Sequence, residues 1–527
     1  MRERRALART AGLIGSLTFL SRIAGYARDV IIAFFFGASG ATDAFYVAFR
    51  IPNLLRRLFA EGSLTISFIP VFTEYLEKGD KAEAKRVSDA VFTALIVVLG
   101  VITVLGVLFS PVIIKIFASG FKEEYFNLAV GMNRVMFPYI LLVSVVALSM
   151  GVLNSLRHFF APAISPLLLN LGIIATVLVL HSFFALPIYT VALGVIVGGV
   201  LQVLFQVPFL RMKGFLFSFR SNLSHPAVKR IGLLMAPQLF GLGVYNVNII
   251  ISTQYASHLP MGTVSYLYYS ERLIEFPLGI IAVSIATALL PSLSGSAARG
   301  ESGVFRRDYA RALMLMLFAM IPALVGLIVL RVPICNLLYQ HGEFSYLDTV
   351  YTSQSLLGYA LGLWAIGGVR ITAPTFYALK DTKTPVIAAF FSLLVNAALG
   401  YFLAFSLDLR HFGLALATSV SAIFQFLILF FEINRRMGRV HIRSILPSLV
   451  KVIAASLVMG AVALALSRFG HWEGSGFGAR KIAVLVGSVS AAGALYFVIC
   501  RLLGVAEARE VMDIVLKRPR AAASKGD

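Results

Sequence analysis

An all-α integral membrane protein is the fold class this sequence predicts, and three observations predict it. The 527 residues are 59% hydrophobic and only 13% charged, with a mean hydropathy of +0.86, far from the balance of a soluble globular chain. Apolar runs of roughly 20 residues recur from end to end, each long enough to cross a hydrocarbon layer of about 30 Å. Short alternating strands are missing, and backbone facing lipid must satisfy its own hydrogen bonds, so the spans read as helices and not as a barrel.

Taken in order, the apolar segments fall near 11–36, 41–70, 88–118, 127–155, 161–182, 185–210, 228–256, 262–291, 310–332, 346–377, 384–407, 411–433, 446–468 and 480–504, about fourteen transmembrane helices. The loop after the second carries Lys78, Lys81, Lys85 and Arg86; that after the sixth carries Arg211, Lys213, Arg220, Lys229 and Arg230; that after the eighth carries Arg299, Arg306 and Arg307. Loops after odd-numbered spans are poor in Lys and Arg, although Arg468 and Arg480 blur the last. The positive-inside rule therefore places both termini in the cytoplasm, and an even number of spans requires them on one side in any case. The first segment, opened by Met-Arg-Glu-Arg-Arg, reads as a retained helix and not a cleaved signal, because Arg28 and Asp29 interrupt it before a cleavage site.

Sliding the chain against itself by roughly 221 residues aligns Phe68-Ile69-Pro70 with Leu289-Leu290-Pro291, Tyr139 with Tyr359, and Leu156-Arg157 followed by Pro162 with Leu379-Lys380 followed by Pro385. Each copy holds an even number of spans, so the repeat is parallel. The expected architecture is two six-helix lobes, 1–215 and 216–440, related by a parallel pseudo-two-fold repeat around a central cavity. Residues 441–527 add two further transmembrane helices and a basic tail. A lateral groove for a lipid tail or plain packing would both account for that extra pair.

The net charge of +21 reflects basic loops that set topology, so no nucleic-acid partner is expected. Cys335 and Cys500 are far apart and lack ligand spacing, which predicts packing residues, with neither a disulfide framework nor a metal site. No Walker-type phosphate loop or His-Glu-x-x-His helix is present, so no cofactor is expected and an ATP-driven step would need a separate partner. His158, His225, His258 and His341 lie in or near loops, where a solvated ring is the usual case.

Charged side chains within spans cost about 2.5–3.5 kcal/mol each, so those retained face a watery cavity or a partner. They concentrate in three places: Arg22, Arg28 and Asp29 in the first span; Asp43, Arg50, Asn53, Arg56, Arg57 and Glu61 in the second; and Glu271, Arg272 and Glu275 in the eighth. Arg370 in the tenth stands apart. Asp43, Tyr46, Arg50, Asn53, Arg57 and Glu61 follow one another at steps of three or four, a polar stripe down one helix face. Arg22 and Asp29 share a face. The adjacent Arg28 and Asp29 point about 100° apart, which predicts that they do not neutralise each other and that Arg28 is available to a ligand. Arg272 is within reach of Glu275 one turn on, and Pro277 perturbs the helix just beyond.

Interhelical ion pairs, or side chains reaching for headgroups, account for Arg50, Arg56 and Arg57 as well as ligand binding does. For Arg28 and Arg272, deeper in their spans, ligand binding is the preferred reading. Guanidinium offers a planar fork of donors that stays charged when desolvated, so an arginine-rich cavity suits phosphate. A pump for cations would instead hold unpaired carboxylates, whereas Asp29, Asp43, Glu61, Glu271 and Glu275 each have a basic residue nearby in sequence.

These same residues resemble a known family. Ser21-Arg22-Ile23-Ala24-Gly25-Tyr26-Ala27-Arg28-Asp29, Gly37-Ala38 with Ala41-Thr42-Asp43-Ala44-Phe45, and Phe49-Arg50-Ile51-Pro52-Asn53-Leu54-Leu55-Arg56-Arg57-Leu58-Phe59-Ala60-Glu61-Gly62 resemble the motifs of the MurJ (MviN) lipid II flippases, within the superfamily of drug and oligosaccharidyl-lipid exporters. Glu271-Arg272-Leu273-Ile274-Glu275-Phe276-Pro277, Leu290-Pro291-Ser292-Leu293-Ser294 and Phe376 to Pro385 are similar to family segments too. Only the last two spans lack a motif.

The resemblance implies a transporter and not an enzyme, alternating access in the bacterial cytoplasmic membrane, and a substrate of undecaprenyl pyrophosphate bearing a disaccharide-pentapeptide. Lipid II, membrane lipids and the cell-wall synthesis machinery are the implied partners. Arg28 and Arg272 match family positions implicated in substrate binding, with Arg22, Asp29, Asp43, Arg56 and Glu61 as supporting matches. Ile66 stands where an amide-bearing residue is expected. Asn246, Asn248 and Asn396 occupy the region where some members place the carboxylates of a sodium site, so sodium coupling is not carried over. Two alternatives stay open on the residues alone: a flippase for another lipid-linked oligosaccharide, and a membrane enzyme acting on polyprenyl pyrophosphates. A scaffold for the cell-wall machinery is a third.

Overall fold

The computed structural model of the chain describes residues 2–56, 64–219, 225–438, 442–474 and 477–515. Among them no β-strand occurs. By packing, the chain divides into two compact units, Met1–Ser265 and Tyr266–Asp527.

The first unit holds α1 (Arg2–Phe36), α2 (Gly40–Arg56), α3 (Leu64–Glu77), α4 (Lys81–Leu108), α5 (Ser110–Ala118), α6 (Glu123–Met136), α7 (Tyr139–Ser155), α8 (Phe160–Leu180), α9 (Tyr189–Lys213) and α10 (Pro226–Ser257). The division falls within α11 (Thr263–Pro277). Beyond it lie α12 (Val283–Ala298), α13 (Ser302–Val329), α14 (Arg331–Tyr339), α15 (Tyr346–Ala360), α16 (Leu363–Ala378), α17 (Lys383–Tyr401), α18 (Arg410–Met437), α19 (Ile442–Ser467), α20 (Ala479–Leu502) and α21 (Ala506–Val515).

Ten helical stretches among the described residues are long and apolar enough to cross a membrane, or eleven if the bent pair α15–α16 counts as one span. The three sequence segments outside that count, 11–36, 41–70 and 228–256, are occupied by α1, by α2 with α3, and by α10. The second segment is two helices, one on each side of 57–63. The outer surface is apolar: Val98, Val101, Val104 and Leu108 of α4 are each more than half exposed, an arrangement that hydrocarbon stabilises and water would not. Polar groups turn inward instead. Thr93, Thr176 and Thr372 return their hydroxyls to the carbonyls four residues back, at 2.7–2.8 Å, which satisfies them without water.

Element boundaries recur along the chain. The starts of α4 and α13 are 221 residues apart, both helices are 28 residues long, and each follows a glycine with positive φ, Gly79 and Gly300. The nine-residue α5 and α14 keep the same offset. Arg157 (φ 56) and Lys380 (φ 59), 223 residues apart, both adopt the left-handed conformation that closes α7 and α16. His158 and Asp381 then donate their amides to carbonyls five residues back, Leu153 at 2.8 Å and Phe376 at 2.9 Å. A non-glycine residue costs about 1 kcal/mol there, and in both copies it is basic, which suits a helix C-terminus.

The closest helix packing in the first unit is made by glycine. A Cβ on Gly172 of α8 would lie 2.5 Å from the Gly198 Cα of α9, and one on Gly198 would lie 2.8 Å from the Leu169 carbonyl oxygen. The two backbones are in contact, as small residues allow in membranes. Immediately after Pro277 the chain makes a π-helical turn, Leu278–Ala282, which leads into α12. The last helices pack on α13 through Phe318, Val452, Ala455 and Tyr496, and Tyr496 donates its hydroxyl to the Phe318 carbonyl at 2.6 Å. Both cysteines are buried.

Three of the four loop histidines are not solvated as expected. His158 is half-buried, with its Nε2 buried and its ring centroid 4.8 Å from that of Phe209. His225 is buried at the head of α10, where Nε2 lies 3.0 Å from Glu83 Oε1, and His341 stacks on Phe477 with ring centroids 4.0 Å apart. A helix start and an aromatic neighbour each offered the ring more than water does.

In the loop before α17, Asp381 accepts from the Lys383 and Thr384 amides at 2.8 and 3.0 Å, the Thr384 hydroxyl at 2.6 Å and Arg436 at 2.5 Å. The Thr384 hydrogen bond first, and Arg436 among the rest, push the carboxyl down from 3.8 to about 2. A depressed carboxylate stabilises the fold above its unfolded pKa and loses that effect as pH falls through its folded one. Asp381→Ala is therefore expected to lose about 1 kcal/mol near neutral pH, as a lost helix cap does. The gap from the unaltered protein should close between pH 4 and 2, read as thermal unfolding in detergent. A gap that does not change with pH would rule this capping out.

Candidate anion-binding site

In α1, Arg28 and Asp29 are both buried, at 5% and 1% exposure, and they are paired. Arg28 donates from Nε and Nη2 to Asp29 Oδ1 at 3.0 and 2.7 Å. This corrects the expectation that neighbours pointing about 100° apart leave each other alone. The arginine stem is long enough to fold back around the helix, and an apolar surround strengthens the attraction. On another edge Nη1 donates to Asn170 Oδ1 of α8 at 3.2 Å, and the guanidinium carbon lies 6.0 Å from the Phe49 ring centroid. Arg22, one turn and a half earlier, is exposed.

Asp43 is buried at the start of α2. Its Oδ2 accepts from the Gly262 amide at 2.7 Å, and its Oδ1 from the Ser265 amide and hydroxyl at 2.8 and 2.6 Å. The expected basic neighbour is thus replaced by a helix N-terminus: Asp43 caps α11, whose orphan amides and positive dipole end favour a carboxylate. Gly262 makes this possible with φ +89, which few L residues adopt.

Farther along the stripe Arg50 donates to Thr253 of α10, and Arg56 is held by Asn53, with Nε and Nη2 at 3.1 and 2.9 Å from Oδ1. Arg50 thus makes a helix-to-helix hydrogen bond and Arg56 a local one within α2, and neither contact is the interhelical ion pair that was one of the readings for them. Arg57 and Glu61 lie outside the described residues. Ile66 is exposed.

In the second unit Arg272 donates from Nε and Nη2 to the Tyr268 hydroxyl at 3.2 and 2.9 Å, with its guanidinium carbon 5.1 Å from that ring's centroid. Glu275, expected to meet Arg272, instead accepts from Arg370 of α16 at 2.7 Å. Tyr268 sits one turn before Arg272 and offers both an oxygen and a π face, while Glu275 and Arg370 are each only partly exposed and gain from pairing. Glu271 is exposed.

Sequence reasoning missed Asn170, Tyr268 and Thr253. Tyr268 had a signal, since it stands four residues before Arg272 on one face. Asn170 had only its isolation as an amide in an apolar run. Chemically, the first unit offers a guanidinium group held by an acid, an amide and a ring, at Arg28, and the second unit one held by a phenol, at Arg272. Such groups suit phosphate oxygens.

The family described as lipid II flippase MurJ matches residues 32–480. A Vibrio cholerae protein named probable lipid II flippase MurJ is 35% identical over 508 residues, covering 94% of this chain and 95% of that protein. A Burkholderia cenocepacia protein named lipid II flippase MurJ is 36% identical over 498 residues, covering 92% and 95%. A solved structure titled lipid II flippase MurJ, inward closed conformation, superposes with a TM-score of 0.77 at 28% identity, covering 96% of this chain and all of that one. An inward-facing multidrug transporter of the MATE family shares the fold with a TM-score of 0.67 at 14% identity, covering 81% of this chain and 98% of that one. The chain belongs to the MurJ lipid II flippase family, and is a multi-pass membrane transporter and not an enzyme.

Proposed function

We propose that this protein moves lipid II, a pyrophosphate-linked polyprenyl carrier bearing a disaccharide-pentapeptide, from the inner to the outer leaflet of the bacterial cytoplasmic membrane. The observation that carries the reading is the match of nearly the whole chain to proteins named for that activity. Arg28 and Arg272 are the proposed contacts to the pyrophosphate, and the polyprenyl chain stays in lipid throughout. Alternating access of a two-lobed, fourteen-span fold, with both termini cytoplasmic, is the mechanism in keeping with the recurring element boundaries and the basic loops. Each net negative charge moved outward gains about 2.3 kcal/mol per 100 mV when the interior is negative, so membrane potential favours export. Membrane lipids surround the path, and the cell-wall synthesis machinery is the proposed consumer of the product.

The test is outer-leaflet accessibility of labelled lipid II in cells depleted of their native flippase. Expression of the intact chain is expected to restore it, and Arg272→Ala at equal membrane levels to reduce the rate about tenfold, the worth of a charged hydrogen bond. Failure of a well-inserted intact chain would move the assignment to another lipid-linked sugar.

A further inference from the structure

Asn170 sits in the middle of α8, four residues after Pro166, on a helix whose other described side chains are mostly apolar. Its amide orientation is fixed by what it touches. Nδ2 lies 3.3 Å from the Ser21 carbonyl of α1 and 3.2 Å from the Pro166 carbonyl of its own helix. Both are acceptors only, so the nitrogen must face them and Oδ1 must face away. That oxygen is the one 3.2 Å from Arg28 Nη1.

The Arg28 guanidinium is consequently held on two edges and one face by Asp29, Asn170 and Phe49. One edge carries a charge and the other does not. Asp29 balances Arg28, whereas a second carboxylate opposite it would turn the cluster net negative and repel an anion. An amide supplies the acceptor without the charge, and its nitrogen anchors it both to its own helix at Pro166 and to α1 at Ser21, the helix that carries Arg28.

We propose that Asn170 is a positioning residue for the anionic substrate: it fixes the plane of the Arg28 guanidinium and keeps the Arg28–Asp29 cluster from becoming net negative. The inference rests on the reading of Arg28 as a pyrophosphate contact. Its signature is that Asn170 acts through Arg28, so its effect on affinity disappears when Arg28 is gone.

The experiment is a double-mutant cycle on the full-length protein in detergent micelles, with undecaprenyl pyrophosphate as the probe and thermal unfolding measured alongside. Asn170→Ala is expected to weaken binding about tenfold, in line with loss of a hydrogen bond to a charged group. Asn170→Asp, of nearly the same shape, is expected to weaken it further by charge. In the Arg28→Ala background Asn170→Ala should add no further loss. Equal weakening in both backgrounds would assign Asn170 to helix packing alone and overturn the proposal, as would unchanged affinity in Asn170→Ala. Full affinity in Arg28→Ala itself would remove the underlying reading of Arg28, an outcome separate from failure at Asn170 alone.

Discussion

Arg28→Ala is expected to lower the rate of lipid II export on the order of a hundredfold, because the proposed contact of Arg28 to phosphate would lose two charged hydrogen bonds together. The same change removes the guanidinium from Asp29, which is 1% exposed. Stripping a buried ion pair of one partner costs about 3–5 kcal/mol, so the single variant should also unfold at lower temperature. The two effects separate in the double variant Arg28→Ala, Asp29→Ala: stability should return most of the way while export does not. If the double variant exports at the normal rate, Arg28 serves to neutralise Asp29 and does not bind phosphate. Arg28→Lys keeps the charge but cannot reach two acceptors with a planar fork, and should fall between.

Asp43→Ala is expected to destabilise the protein by about 2–4 kcal/mol. Its carboxylate takes two backbone amides and a hydroxyl at the head of α11, and those buried donors would be left without it. Asp43→Asn keeps the shape but turns one acceptor into a donor and removes the charge facing the helix dipole, so an intermediate loss is expected. Thermal unfolding in detergent measures both. An Asp43→Asn protein as stable as the original would show that the hydroxyl of Ser265 and one amide suffice. Since α11 is the helix on which Tyr268, Arg272 and Glu275 sit, the export assay should register the same substitutions.

The helical class, the membrane setting and the family were legible because they rest on many residues at once. Hydropathy runs and a motif of fourteen consecutive residues survive errors in any one position. The offset of roughly 221 was legible for a physical reason as well: Arg157 and Lys380 occupy equivalent left-handed turns, so the landmarks marked real helix ends. Partner choice was not legible. Periodicity reports where a side chain leaves its helix, and Arg28 shows that a long stem then has a wide reach. Asp43 finds backbone amides more than two hundred residues away, and amides carry no residue type that a sequence could display. Asn170 illustrates the same limit from the other side, since a lone amide in an apolar run announces a partner without naming it.

With α8 and α9 joined backbone to backbone at Gly172 and Gly198, acyl chains find no crevice between them, and a larger side chain in either position would wedge one open. The pair resists bending as a two-stranded cable does compared with either strand alone. A softer place in this unit is the turn at Phe137 and Pro138 between α6 and α7, where the backbone stays helical but proline has no amide to donate. A bilayer that thickens or thins around the protein is expected to tilt α8 and α9 together, as one body.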